Sequence, residues 1–300
     1  MELSLPKKVT IIEVGPRDGL QNEKSFVPTE VKKDFIFKLK MAGVKEMELT
    51  SFVSPKWVPQ MKDAGEIAAD CLDEHTRNII LAPNQKGISR VYDTDCRAVA
   101  VFVGVSNTFN LKNINKTTAE SLEGLRPAIH ELKEKGYFVR ACISTAFYCP
   151  YEGKINEKDT LALCREFVGM GVDELSVADT IGMAVPSEAF SLFEKLTEAF
   201  PDILIASHFH DTRRLATANI FAALQAGITR FDTSAGGLGG CPFAPGAAGN
   251  AATEDAVYML ERMGIETGID LDQLLEAIEV VRPHLSRAID SSFYRLSRQA

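Results

Sequence analysis

Residues Leu204-Ile205-Ala206-Ser207-His208-Phe209-His210-Asp211 join a short apolar run to two histidines spaced two apart. Alternate residues of a strand point the same way, so His208 and His210 share one face at the end of this run. The same figure recurs upstream. Run 9–14 leads into Gly15-Pro16-Arg17-Asp18-Gly19, and run 46–50 carries Glu48 between apolar neighbours. Short β-branched or apolar runs occupy 9–14, 46–50, 78–82, 98–105, 138–144, 174–177, 204–207 and 230–233. A spacing of roughly 30 residues fits eight βα units. Ends of different strands supplying one polar site is how a (β/α)8 barrel builds a reaction centre.

Helical patterns over 29–42, 120–135 and 157–170 lie between these runs. In the first, Thr29 is a candidate cap after Pro28. Val31, Phe35, Ile36 and Leu39 are placed to face the sheet, and Lys32, Lys33, Asp34, Lys38 and Lys40 to face water. Gly43, Gly136, Gly171 and Gly227 each stand just ahead of a strand, at the position where a helix commonly ends. The alternative is a doubly wound open sheet, which normally has fewer strands in this length. Its dinucleotide-binding form needs GxGxxG after the first strand, where this chain has Gly15-Pro16-Arg17-Asp18-Gly19. The reading is therefore α/β, a (β/α)8 TIM barrel, forming a single catalytic domain over residues 1–300. Residues 253–300 form C-terminal helices, with helical stretches at 254–263 and 271–283, that cover or extend the barrel.

Composition narrows the function. The chain of 300 residues is 45% hydrophobic and 25% charged, which are globular values. A net charge of -8 argues against a nucleic-acid partner. No apolar run approaches the roughly 20 residues that span a membrane. Six cysteines without a CxxC pair, and an opening without a targeting helix, lead to an expected cytoplasmic location.

Asp18 and Asn250 supply oxygen ligands on neighbouring parts of a closed barrel, and with His208 and His210 they define a mixed nitrogen and oxygen site. Alone, the two histidines could equally be structural. Asp211 could hold a histidine tautomer or cap the next helix. Arg17 is either a rim salt bridge or the stabiliser of oxygen charge in a carbonyl substrate. Glu48 needs a partner inside a barrel, so it pairs with Arg17 or orients a ligand. Gln21 adds a polar contact, and Asp179 is a site candidate or a helix cap. Fifteen residues, 236–250, hold six glycines and two prolines around Cys241. Gly237, Gly239 and Gly240 suit a mobile loop. Cys241 on it is a nucleophile, a proton carrier or an inert surface thiol.

Six segments together resemble the 3-hydroxy-3-methylglutaryl-CoA lyase family over about residues 7–268. The first two are Glu13-Val14-Gly15-Pro16-Arg17-Asp18-Gly19-Leu20-Gln21-Asn22-Glu23 and Thr50-Ser51-Phe52-Val53-Ser54-Pro55-Lys56-Trp57-Val58-Pro59-Gln60. The others are Cys149-Pro150-Tyr151-Glu152-Gly153, Asp179-Thr180-Ile181-Gly182, His208-Phe209-His210-Asp211-Thr212 and the loop 237–250. The resemblance implies that Asp18, His208, His210 and Asn250 bind a divalent cation, Mg2+ or Mn2+. It places Arg17, Asp18, Glu48 and Cys241 in catalysis, with Gln21, Ser51 and Asp179 in substrate or supporting roles. It implies an acyl-CoA substrate, cleaved to acetyl-CoA and acetoacetate, and is compatible with a homodimer. Departures from the family pattern are Cys142 in place of a tyrosine, Ala178 in place of a glycine, and Arg213-Arg214-Leu215-Ala216-Thr217-Ala218-Asn219. They bear on acyl specificity, so a related 3-hydroxyacyl-CoA such as citramalyl-CoA is the first alternative. A condensing acyltransferase on the same barrel and a non-enzymatic metal-stabilised scaffold are the others.

Overall fold

A computed structural model describes residues 5–240 and 249–298. Eight parallel strands close on themselves: β1 Thr10–Glu13, β2 Glu46–Ser51, β3 Arg77–Leu81, β4 Ala98–Gly104, β5 Phe138–Ser144, β6 Glu174–Asp179, β7 Leu204–Phe209 and β8 Arg230–Thr233. β1 pairs with β8 on one side and β2 on the other, which closes the barrel. A short antiparallel pair, Tyr148–Cys149 with Gly153–Lys154, projects after β5.

All eight expected runs are strands, with ends that shift. β6 and β7 run two residues further than their apolar stretches, so Asp179 and His208 lie within strands instead of after them. Backbone pairing between β6 and β7 continues through Ala178 with His208 and Asp179 with Phe209, and this pairing tolerates polar side chains that periodicity reads as loop. The turn glycines 43, 136, 171 and 227 all have positive φ, the left-handed geometry that ends a helix.

Two details of the first helix, Thr29–Met41, depart from expectation. Pro28 takes the cap position and no side chain caps the helix. Lys32 is buried: its ammonium reaches Asp63 at 3.0 Å and the Gln60 carbonyl, and lies over the Phe26 ring at 4.4 Å. A lysine on a helix face tolerates burial when carboxylate, carbonyl and ring replace its water.

The apolar material divides by strand alternation. Outward residues such as Val99, Ile143, Leu175, Phe209 and Phe231 join the helices in the main core. Inward, Ile12, Val14, Ile79, Leu81, Ala98, Ala100 and Ala206 form a smaller cluster. Beside them the interior holds six buried charged residues, Glu46, Glu48, Arg140, Glu174, Arg230 and Asp232. Helix Thr253–Arg262 follows β8 as the eighth βα helix. The surplus beyond the barrel is therefore Leu271–Val281, which packs on Thr29–Met41 beside the closure, and the short helix Ser292–Ser297.

Candidate active site

Pro16 opens a single helical turn, Gly15–Gly19, directly after β1. The turn is pinned from below: the Gly15 N–H donates to Glu13 Oε1 at 2.7 Å. It delivers Arg17 and Asp18 over the barrel mouth, both buried. Arg17 Nε donates to Glu48 Oε2 at 2.6 Å and Nη1 to Asp18 Oδ1 at 2.6 Å, so one guanidinium joins the ends of β1 and β2. Asp18 accepts further from Gln21 Nε2 at 3.0 Å and from Asn250 Nδ2 at 2.8 Å.

His208 and His210 lie on the same face of β7 and its extension, with ring centroids 5.3 Å apart. His210 is pinned by a backbone bridge to Asn250, which brings the connection between β8 and its helix against the residue after β7. Among the described residues, ligand atoms of Asp18, His208 and His210 lie within 4.8 Å of one another. Two buried polar atoms in this group lack a hydrogen-bond partner among the described residues, Asn250 Oδ1 and His210 Nδ1. An acceptor oxygen stripped of donors, beside two imidazoles and a carboxylate, is the donor set a divalent cation fits.

Charge states follow from the neighbours. Burial opposes ionisation of Asp18, but Arg17 and the two histidines pull it down to about 2. Burial, with the charge of His208, presses His210 down to about 4, so it is neutral and has a lone pair to give at neutral pH. Burial works against His208 as well, but its hydrogen bond to Asp232 lifts it above the ordinary histidine range.

The HMGL-like family model matches residues 8–281 of the chain. The chain belongs to the HMGL-like family. Hydroxymethylglutaryl-CoA lyase YngG of Bacillus subtilis (strain 168) is 45% identical over 287 residues, 95% of this chain and 96% of that one. The crystal structure of the Bacillus subtilis HMG-CoA lyase matches with a TM-score of 0.95 at 44% identity, over 98% of this chain and 99% of that one. An HMG-CoA lyase from Acinetobacter baumannii, solved in complex with coenzyme A and 3-methylmalate, matches with a TM-score of 0.90 at 36% identity, over 96% and 95%.

Other candidates in this HMGL-like chain sit at varied distance from the cluster. Ser51 is buried at the end of β2, where its hydroxyl donates to the Leu81 carbonyl at 3.1 Å. Asp179 ends β6 and accepts from the Met183 and Ala184 N–H groups at 3.0 and 2.8 Å, shaping the turn before helix Pro186–Ala199. Burial raises its carboxyl to about 6. Asp211 caps helix Ala216–Gln225 through the Ala216 N–H at 3.0 Å, so of its two readings the cap is the one seen. Gly237, Gly239 and Gly240 stand at the start of the glycine-rich segment, the first and last of them held by hydrogen bonds. The Gly237 carbonyl accepts from Arg287 Nη2 at 2.8 Å, and the Gly240 carbonyl accepts from Asn22 Nδ2 at 2.8 Å. Gly239 has φ +114°, and a Cβ there would lie 2.6 Å from Asn250 Nδ2. Cys241 lies outside the described residues.

Sequence reasoning missed the layer beneath the histidines. Asp232 is 3.1 Å from His208 Nδ1, and Arg140 joins Asp232, Glu174 and Glu48 at the barrel axis. A signal was present: charged residues at alternate positions of parallel strands, as in Arg230-Phe231-Asp232, must be paired inside.

Proposed function

We propose that this chain cleaves 3-hydroxy-3-methylglutaryl-CoA to acetyl-CoA and acetoacetate, with a divalent cation, Mg2+ or Mn2+, held by Asp18, His208, His210 and Asn250. The observation that carries the reading is Asn250 Oδ1, partnerless among the described residues, beside the Asp18, His208 and His210 cluster on a chain of this family. When bound, such a cation supplies Lewis acidity to the oxygens of the substrate. The remaining work falls to the side chains. The 3-hydroxyl loses its proton, the C2–C3 bond breaks, and the electron pair moves onto C2 and the thioester oxygen as the enolate of acetyl-CoA. Asp18, kept ionised by Arg17, is placed to relay the hydroxyl proton. Arg17, fixed by Glu48, is the fixed positive charge for the oxygen on which charge develops. Cys241 is assigned the proton transfer that completes acetyl-CoA. Gln21 steadies Asp18, and Ser51 and Asp179 support the strand ends.

The reading also carries a single catalytic domain over 1–300, a cytoplasmic location and a homodimer as the assembly to look for. Among the described residues no helix is long and apolar enough to cross a membrane. A second substrate is favoured by one observation: the Acinetobacter baumannii relative holds 3-methylmalate with coenzyme A. Cys142 faces the interior here, its thiol pushed up to about 12 by burial and Glu48, and is therefore a neutral, compact wall. Purified protein with Mg2+ or Mn2+ should release acetoacetate and acetyl-CoA from the methylglutaryl thioester. Faster cleavage of citramalyl-CoA or 3-methylmalyl-CoA would reassign the acyl group, and condensation without cleavage would overturn the lyase.

A further inference from the structure

The two histidines of the cluster differ in what stands behind them. Among the described residues His210 Nδ1 is buried without a partner, whereas His208 Nδ1 faces Asp232 Oδ2 at 3.1 Å. His208 and Asp232 are neighbours in the ladder between β7 and β8, so strand register delivers the contact. Asp232 cannot turn away. Arg140 grips both of its oxygens, Ser176 Oγ donates to Oδ2 at 2.8 Å, and Glu174 Oε1 holds Arg140 Nη1 at 2.8 Å from below. Arg140 has 0% exposure, so none of these contacts competes with bulk water. A guanidinium only donates and an ionised carboxylate only accepts. The ring proton of neutral His208 is therefore drawn to Nδ1, and Nε2 keeps its lone pair for the cluster.

We propose that Asp232 is a positioning residue that fixes His208 as its Nδ1–H tautomer, with Arg140 holding Asp232 in place. The inference rests on the metal reading given above. The competing role for Asp232 is charge balance for Arg140 alone, and an isosteric change separates the two. In Asp232→Asn the Oδ1 position, which meets only Arg140, must stay an oxygen, whereas at the Oδ2 position the Ser176 hydroxyl and His208 Nδ1 can both accept. The amide N–H then points at His208 Nδ1 and forces the proton onto Nε2, the wrong form for a ligand. Neutralising the aspartate behind a histidine is known to act in this way in serine proteases.

The test combines nitrogen NMR of 15N-histidine-labelled, metal-free protein, read at the alkaline end of the His208 signal's own pH titration, where the ring is neutral, with Mn2+ titration of the same preparations. Wild-type protein should show His208 protonated at Nδ1. Asp232→Asn should show the proton at Nε2 and bind Mn2+ about 10–100-fold more weakly, the usual effect of losing such a partner. Ser176→Ala, which removes one donor to Asp232 but leaves Arg140, should keep the Nδ1–H form and near wild-type affinity. An Nε2–H form of His208 in the wild-type protein would overturn the proposal even if no variant folds. So would Asp232→Asn with unchanged tautomer and affinity. Wild-type protein that fails to bind Mn2+ at all, with His208 still in the Nδ1–H form, would overturn the metal reading and leave the tautomer assignment standing.

Discussion

Arg17 is shared between two carboxylates, and that sharing sets what its loss should do. Burial works against its charge, but Glu48 and Asp18 hold the guanidinium above its ordinary value, so it stays charged through any working pH. Arg17→Gln keeps hydrogen-bond donors and removes the charge at the oxygen that becomes negative. Turnover of metal-loaded protein should fall on the order of 100-fold or more. Stability should fall too, because Glu48 is left with Arg140 at 3.8 Å as its remaining cation, and breaking a buried pair costs about 3–5 kcal/mol. Steady-state kinetics and urea denaturation on the same variant check both; turnover near wild-type would remove Arg17 from the reaction. At this scale the sequence was legible where chemistry and spacing coincide. His208 and His210 share a face because strands alternate, and Asp18 and Asn250 follow the strands that meet β7 or close the barrel. Asp232 and Arg140 escaped notice because their meaning is a contact between residues 92 apart in the chain, which local periodicity cannot register.

The glycine-rich segment owes its starting position to two buried glutamates. Glu13, at the end of β1, accepts from the Ala235 N–H at 3.0 Å and from Thr253 Oγ1 at 2.7 Å. Glu254, in the helix after β8, accepts from the Gly236 N–H at 3.0 Å. Burial pushes each carboxyl up to about 7, against the pull of these donors. Between about pH 4.5 and pH 7 the folded protein therefore holds protons that the unfolded chain has released. Stability should fall as pH rises through that window and level off above it. Glu13→Gln removes one such proton, so stability of the variant relative to wild-type should rise between pH 5 and pH 8, by up to about 3 kcal/mol. Urea midpoints at the two pH values measure the difference, and parallel shifts in both proteins would refute it. Elements were the most legible level: each expected strand is present, and β6 and β7 run long where Asp179 and His208 extend a ladder. Thr29 does not cap because Pro28 takes that position, and Lys32 leaves the solvent face because Gln60 and Asp63 of the next segment receive its ammonium.

Eight evenly spaced runs leave few ways to bury every strand, and closure is the one this chain takes. The tail was harder to read, because helix Thr253–Arg262 looks the same in sequence whether it completes the barrel or leaves it. Its place after β8 makes it the eighth wall element, and Leu271–Val281 then covers Thr29–Met41 where the first and last units meet. Leu274, Leu275, Ile278 and Val281 are buried in the same core as Phe35, Ile36 and Leu39. At about 1.5–3 kcal/mol for each large apolar side chain, these four contribute an amount comparable with the whole stability of a domain, about 5–15 kcal/mol. A chain ending at residue 264 should thus fail to fold cooperatively, although every barrel strand remains. A chain ending at 290 loses the buried Tyr294, the Phe293 ring against Tyr258, and contacts such as Ser291 Oγ with Glu254 and the Ser292 N–H with Asp255 at 3.0 Å, and should stay folded at a lower midpoint. The full-length chain should unfold in one transition, with near- and far-ultraviolet dichroism coincident, because barrel and tail share one core. Two separated transitions, or a native-like near-ultraviolet spectrum from the chain ending at 264, would show that the tail is a separate unit and that the barrel closes without it.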